Sequence, residues 1–118
     1  MGYIFVDIAL RGESSGIVRV LVDTGSAYIV LRPETIAELG LHETPYEVEL
    51  TLADKRKMKS RLYLAEVEVK GRRGPAFVAE VDVATHLLGV YALETLGLKP
   101  NTATGEIEIV GPEGGYLL

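Results

Sequence analysis

The run Ile17-Val18-Arg19-Val20-Leu21-Val22 ends directly in Asp23-Thr24-Gly25. This junction constrains the fold more than any other stretch. Apolar, mostly β-branched residues, interrupted here only by Arg19, are what a strand needs when it is covered on both faces. Such a strand runs through the interior, so its end delivers the Asp23 carboxylate to the margin of a core. Gly25 permits a tight turn there and lets a backbone N–H approach the carboxylate. The 118 residues contain one Asp-Thr-Gly. Chemistry that needs a pair of such carboxylates therefore requires a second copy of the chain.

Strand-like segments dominate the rest. Residues 3–10 and 17–22 flank the turn composition of Arg11-Gly12-Glu13-Ser14-Ser15-Gly16. A short strand is expected at 28–31. Residues 46–52 alternate as Tyr-Glu-Val-Glu-Leu-Thr-Leu, a half-buried strand. Strands at 63–70 and 76–83 lie either side of Gly71-Arg72-Arg73-Gly74, and a last one is expected at 106–110. Two short helices are predicted. The first, 33–39, has Pro33 in its opening turn and Gly40 just past its end; the second, 90–96, is followed by Gly97. Many short strands with two short helices predict a mainly β fold, a barrel or sandwich. The length suits one domain. Residues 1–110 are assigned to it, and 111–118, with Gly111-Pro112-Glu113-Gly114-Gly115, to a flexible tail.

The chain resembles the retropepsin-like aspartic proteases, and among them the single-domain prokaryotic members. The residues that carry the resemblance are Val22-Asp23-Thr24-Gly25-Ser26, the helix at 33–39, the hairpin around Leu52-Ala53-Asp54-Lys55, and Leu87-Leu88-Gly89 with the helix after it. The resemblance implies a closed acid-protease-like barrel and a homodimer in which two Asp23 side chains form a catalytic dyad. Thr24 would hydrogen-bond across the two-fold axis to the partner loop, and Ser26 would donate to the outer carboxylate oxygen. Leu87, Leu88 and Gly89 would support the loop from behind. The implied activity is endopeptidase cleavage of extended peptides with apolar residues flanking the cut, without cofactor or metal. A non-catalytic peptide-binding module on the same fold is the alternative.

The expected flap departs from the family pattern. Residues 51–62 hold no glycine and no aromatic at the tip, and Ala53, Asp54, Lys55, Arg56 and Lys57 form that tip. With Lys59 and Arg61 added, the hairpin is strongly basic. One reading is a charged lid that selects acidic peptides or docks an anionic partner. The other is a solvated edge guarded by lysines against strand addition.

Composition narrows the function further. The net charge of −5 disfavours a general nucleic-acid binder, and the absence of cysteine removes thiol catalysis and disulfides. His42 and His86 are isolated and make no metal site. Ser14-Ser15 has no nucleophile context, and Asp7, Asp54 and Asp82 are expected as surface charges. Residues 1–7 have no basic n-region, and no apolar run reaches membrane-spanning length. A soluble, cytoplasmic protein with no membrane partner is the expectation. Asn101 is the sole amide residue, and Lys, Arg and Glu are plentiful, which points to a thermophilic source. The family resemblance implies that residues 106–110 pair between subunits. If the tail beyond them enters a cleft and blocks it, deleting 111–118 changes peptide affinity or turnover.

Overall fold

The computed structural model describes residues 3–52 and 54–111. The elements are β1 (Phe5–Arg11), β2 (Ser15–Val22), β3 (Ile29–Leu31), α1 (Pro33–Leu39), β4 (His42–Thr51), β5 (Lys57–Val69), β6 (Arg72–Glu80), β7 (Leu87–Leu88), α2 (Val90–Leu96), β8 (Leu98–Asn101) and β9 (Glu106–Ile109). The architecture is mainly β with two helices. Seven of these strands form one sheet in the order β1-β2-β7-β3-β6-β5-β4, and β1 also pairs with β5. β8 and β9 form a separate antiparallel pair. The tail assigned to 111–118 lies, after Gly111, outside the described residues.

Both helices occupy the predicted spans. Pro33 opens α1 because its missing N–H is an orphan at that position anyway. Gly40 and Gly97 end the two helices in the left-handed conformation, at φ 61° and 70°, as glycine does without a Cβ penalty.

The middle of the sheet is apolar on both faces. Ile8, Leu10, Val20, Ile29, Leu31, Val67, Val69, Val78 and Leu88 pack into the main core with Leu93 and Leu96 of α2. On the opposite face, Val30, Leu62, Ala79 and Val81 form a second, smaller cluster. β5 serves both. Its first half turns Met58 and Leu62 to the small cluster, and its second half turns Ala65, Val67 and Val69 to the main core. Because strand side chains alternate, this requires the buried face to switch near Tyr63. That switch is why the strand extends back to Lys57 although the 63–70 segment alone reads as strand. β4 likewise begins at His42, earlier than the expected 46.

Residues 106–110 were expected to pair between subunits, but β9 (Glu106–Ile109) pairs within the chain, with Leu98↔Ile109 through Asn101↔Glu106. One of its edges is therefore already committed to β8, a strand with no clear sequence signal. Arg72 ties this hairpin to the body by donating to the carbonyls of Leu96 and Gly111, at 3.2 and 2.8 Å.

Candidate active site

β2 pairs in parallel with β7, Leu21↔Leu87 and Val22↔Leu88. The pairing runs to the last residue before the loop, where the Asp23 N–H donates to the Leu88 carbonyl at 3.0 Å. The loop then closes locally. The Ser26 N–H donates to the Asp23 carbonyl at 3.0 Å, and the Gly25 N–H donates to Asp23 Oδ1 at 2.9 Å. An amide aimed at one oxygen orients the carboxylate. Thr24 and Gly25 are exposed and Asp23 is half-buried.

The loop is also clamped from α2. The first two amides of the helix, of Val90 and Tyr91, donate to the carbonyls of Ser26 and Ala27 at 2.8 and 3.1 Å. Helix-end amides lack partners within their own helix, so the loop carbonyls satisfy them. Gly89 makes this approach possible. A Cβ built there would meet Tyr28 O at 2.4 Å and Ser26 O at 2.7 Å. Leu88 is fully buried in the main core, while Leu87 faces the second cluster.

Ser26 departs from its expected role. Its hydroxyl donates to the Tyr28 carbonyl at 3.0 Å. A hydroxyl has one proton to give, so it does not donate to the Asp23 carboxylate. Ser26 stiffens the loop instead.

Asp23 opens onto a cleft of about 730 Å³. Its floor is the second apolar cluster, through Tyr28, Val30, Val81, Val83 and Leu87. Leu50 and Leu52 of the β4–β5 hairpin form one wall. Of these lining residues, Leu52 and Leu87 carry a sequence signal through the family resemblance, and the others do not. The signal available was the unbroken apolar Ile29-Val30-Leu31, where a half-buried strand would alternate. Asp54 and Asp82 are exposed, as expected of surface charges, yet both line the cleft.

The hairpin tip solves its missing glycine in another way. The Lys55 N–H donates to the Leu52 carbonyl at 2.9 Å and the Leu52 N–H to the Arg56 carbonyl at 2.8 Å. Lys55 itself sits at φ 71°, the left-handed position that glycine fills in three-residue hairpin loops. Asp54 accepts from the Arg56 backbone N–H at 3.1 Å and from its Nε. Ala53, also expected at the tip, lies outside the described residues.

The basic charge of the hairpin is largely answered by β4. Lys57 pairs with Glu49 at 3.9 Å, and Arg61 with Glu43 at 3.2 Å and Glu47 at 3.9 Å. Lys59 stands opposite Glu49 in register. The free edge of the sheet is β4, which carries these acids and Pro45, rather than the lysine-bearing β5. The basic-lid reading is weakened, because three of its five cations, Arg56, Lys57 and Arg61, already have acidic partners.

His86 lies behind the site. It is buried, its Nε2 is 3.2 Å from Thr35 Oγ1, and its carbonyl accepts the Leu21 N–H at 2.8 Å. Burial, and then the Arg32 charge, hold its imidazole below the ordinary pKa. Among the described residues no group of His, Asp and Glu has the arrangement to hold a metal ion, and no helix is long and apolar enough to cross a membrane.

A family model described as "gag-polyprotein putative aspartyl protease" matches residues 7–95. The structure is similar to that of EIAV protease complexed with the inhibitor HBY-793, with a TM-score of 0.67. The two are 18% identical, and the match covers 81% of this chain and 89% of that one. No curated protein matches by sequence.

Proposed function

Since this chain belongs to the gag-polyprotein aspartyl protease family and has a retropepsin-like fold, we propose that it is an aspartic endopeptidase whose active site forms between two copies. The observation that carries the reading is Asp23 itself. Its carboxylate is held by the Gly25 amide at the mouth of an apolar cleft, on a loop clamped by β7 and α2. One protomer supplies one such carboxylate.

In this reading the β1–β5 pairing is the seam of a closed barrel, and a two-fold axis beside the loops brings two Asp23 side chains together. A symmetric dimer places equivalent residues against each other on its axis. Two carboxylates in contact cannot both remain ionised, so they share one proton. The ionised member removes a proton from a water held between them. The protonated member polarises the scissile carbonyl and afterwards helps protonate the leaving nitrogen. Water attacks directly, so the scheme forms no covalent intermediate and calls on no metal or cofactor. Thr24, exposed at the loop tip, is the residue placed to lock one loop to the other. The substrate would lie extended between the cleft floor and the β4–β5 hairpin, with apolar side chains against Val30, Leu50 and Leu87.

The test is cleavage of an unstructured peptide library between about pH 3 and 7, where a coupled dyad titrates. Wild type is compared with Asp23→Asn at protomer concentrations that favour the dimer. Turnover that disappears in the variant supports the protease. A folded wild-type dimer that binds peptides without turnover leaves the peptide-binding module in its place.

A further inference from the structure

The cleft carries one charge that the proposed chemistry does not use. Asp82 stands in a tight turn where the Val83 N–H donates to the Val81 carbonyl at 2.9 Å. A bond between residues two apart is the signature of a γ-turn, which leaves its central side chain outermost. Val81 is buried in the second cluster and Val83 packs against it, so both neighbours are anchored. Asp82 is exposed between them and lines the cleft.

Its situation differs from that of the other acids there. Asp54 is occupied by Arg56 and Glu49 is paired with Lys57. Asp23 is assigned to the dyad. Among the described residues Asp82 has no hydrogen-bond or ion-pair partner. Meanwhile three of the five basic residues expected to impose an acidic preference, Arg56, Lys57 and Arg61, are spent on Asp54, Glu49, Glu43 and Glu47.

We propose that Asp82 is a specificity-determining residue that selects substrates carrying a lysine or arginine side chain near the scissile bond. This rests on the protease reading of the same cleft. The walls suit such a side chain, because its aliphatic stem lies on Val83 and Leu87 while its charged head reaches the carboxylate. The anchored turn holds Asp82 in place before substrate arrives, so little ordering is needed on binding. In a two-fold dimer each half of the cleft carries one Asp82. The preference therefore falls on both sides of the cut.

The experiment uses one cleavable parent peptide in which each position within three residues of the cut is set in turn to Lys, Met or Glu. The quantity read is the ratio of kcat/KM for Lys to that for Met within each protein, so a general loss in a variant divides out. Wild type is expected to favour Lys about tenfold at one position or more, and less as salt rises. Asp82→Asn is expected to bring the ratio to about one, and Asp82→Lys to favour Glu. A wild type indifferent to charge, or a preference that survives in Asp82→Asn, overturns the proposal. If wild type cleaves none of the peptides, the protease reading fails separately. The same set is then titrated for binding by fluorescence anisotropy, where a Lys preference lost in Asp82→Asn supports the subsite and its absence overturns it.

Discussion

Replacing Gly89 by alanine adds one methyl group at the tightest contact behind the Asp23 loop. The backbone there, φ −90° and ψ 177°, suits any residue, so the effect is purely steric. The new Cβ would lie 2.4 Å from Tyr28 O, 2.7 Å from the Ala27 carbonyl carbon and 2.7 Å from Ser26 O. All three are backbone atoms, and no rotamer change relieves them. The loop and the start of α2 must separate, which weakens the two amide bonds to Ser26 and Ala27. Overpacking costs about 1–3 kcal/mol, and each hydrogen bond contributes about 0.5–1.5 kcal/mol. A loss of about 3 kcal/mol follows, or roughly 10 °C in Tm for a domain of this size. Thermal unfolding at one fixed protomer concentration measures it, since dimerisation shifts Tm. Gly71→Ala is the control: nothing lies within 4 Å of its Cβ, and only the left-handed backbone at φ 76° resists. That costs about 1–2 kcal/mol. A Gly89→Ala protein no less stable than Gly71→Ala refutes the clamp.

Two further substitutions test the surroundings of the site. His86 has a folded pKa below its ordinary 6.5, so the unfolded chain takes up the proton first as pH falls. The stability contributed by the neutral imidazole is complete above 6.5 and is lost as pH drops from there through the folded value. A Tm–pH profile of His86→Gln should lack that part of the slope; an unchanged slope contradicts the assignment. Lys55→Gly removes a left-handed penalty of about 1–2 kcal/mol and adds about 0.5–1 kcal/mol of chain entropy. It should raise stability by about 0.5 kcal/mol in urea unfolding, and a loss would show that the tip is shaped by something other than the αL position.

Much of the fold was legible because local chemistry and tertiary structure agree at those places. Pro33 with Gly40, and Gly97 after Leu96, bound both helices, and the 17–22 run marked the strand leading into the loop, although that strand buries only Val20 and exposes Ile17 and Arg19 instead of being covered on both faces. What escaped notice depended on more than one element. The first half of β5 hides its apolar residues, Met58 and Leu62, between Lys57, Lys59 and Arg61, whose partners lie on β4. Read alone, those cations suggest a charged lid; read with Glu43, Glu47 and Glu49 opposite, they are cross-strand pairs. Asp82 gave no signal because its importance lies in what it lacks, a partner, and that is visible only once every neighbouring charge has been placed. The Ser26 hydroxyl was assigned to the nearer functional group, whereas the turn offered it the Tyr28 carbonyl two residues ahead.

The second apolar cluster is only partly covered, and its open side faces the cleft that Asp23 lines. Ile29, Leu31 and Leu88 are sealed in the main core, but Tyr28, Leu50, Leu52, Val83 and Leu87 only lean against the second cluster and remain partly open. A cluster whose sole task was stability would be covered, since half-exposed leucines forfeit part of their burial free energy, on the order of 1 kcal/mol each. Here the uncovered area coincides with the cleft beside Asp23. Lifting the hairpin would expose Leu50 and Leu52 further, and an apolar substrate side chain laid on the floor would restore the lost contact. In the protease reading, hairpin closure and apolar substrate binding would be coupled through this one surface, and a ligand shifts that equilibrium only by what it contacts differently in the two states. In that reading the tip needs no glycine hinge: the leucine pair tethers the hairpin, and the arm rather than the turn would move.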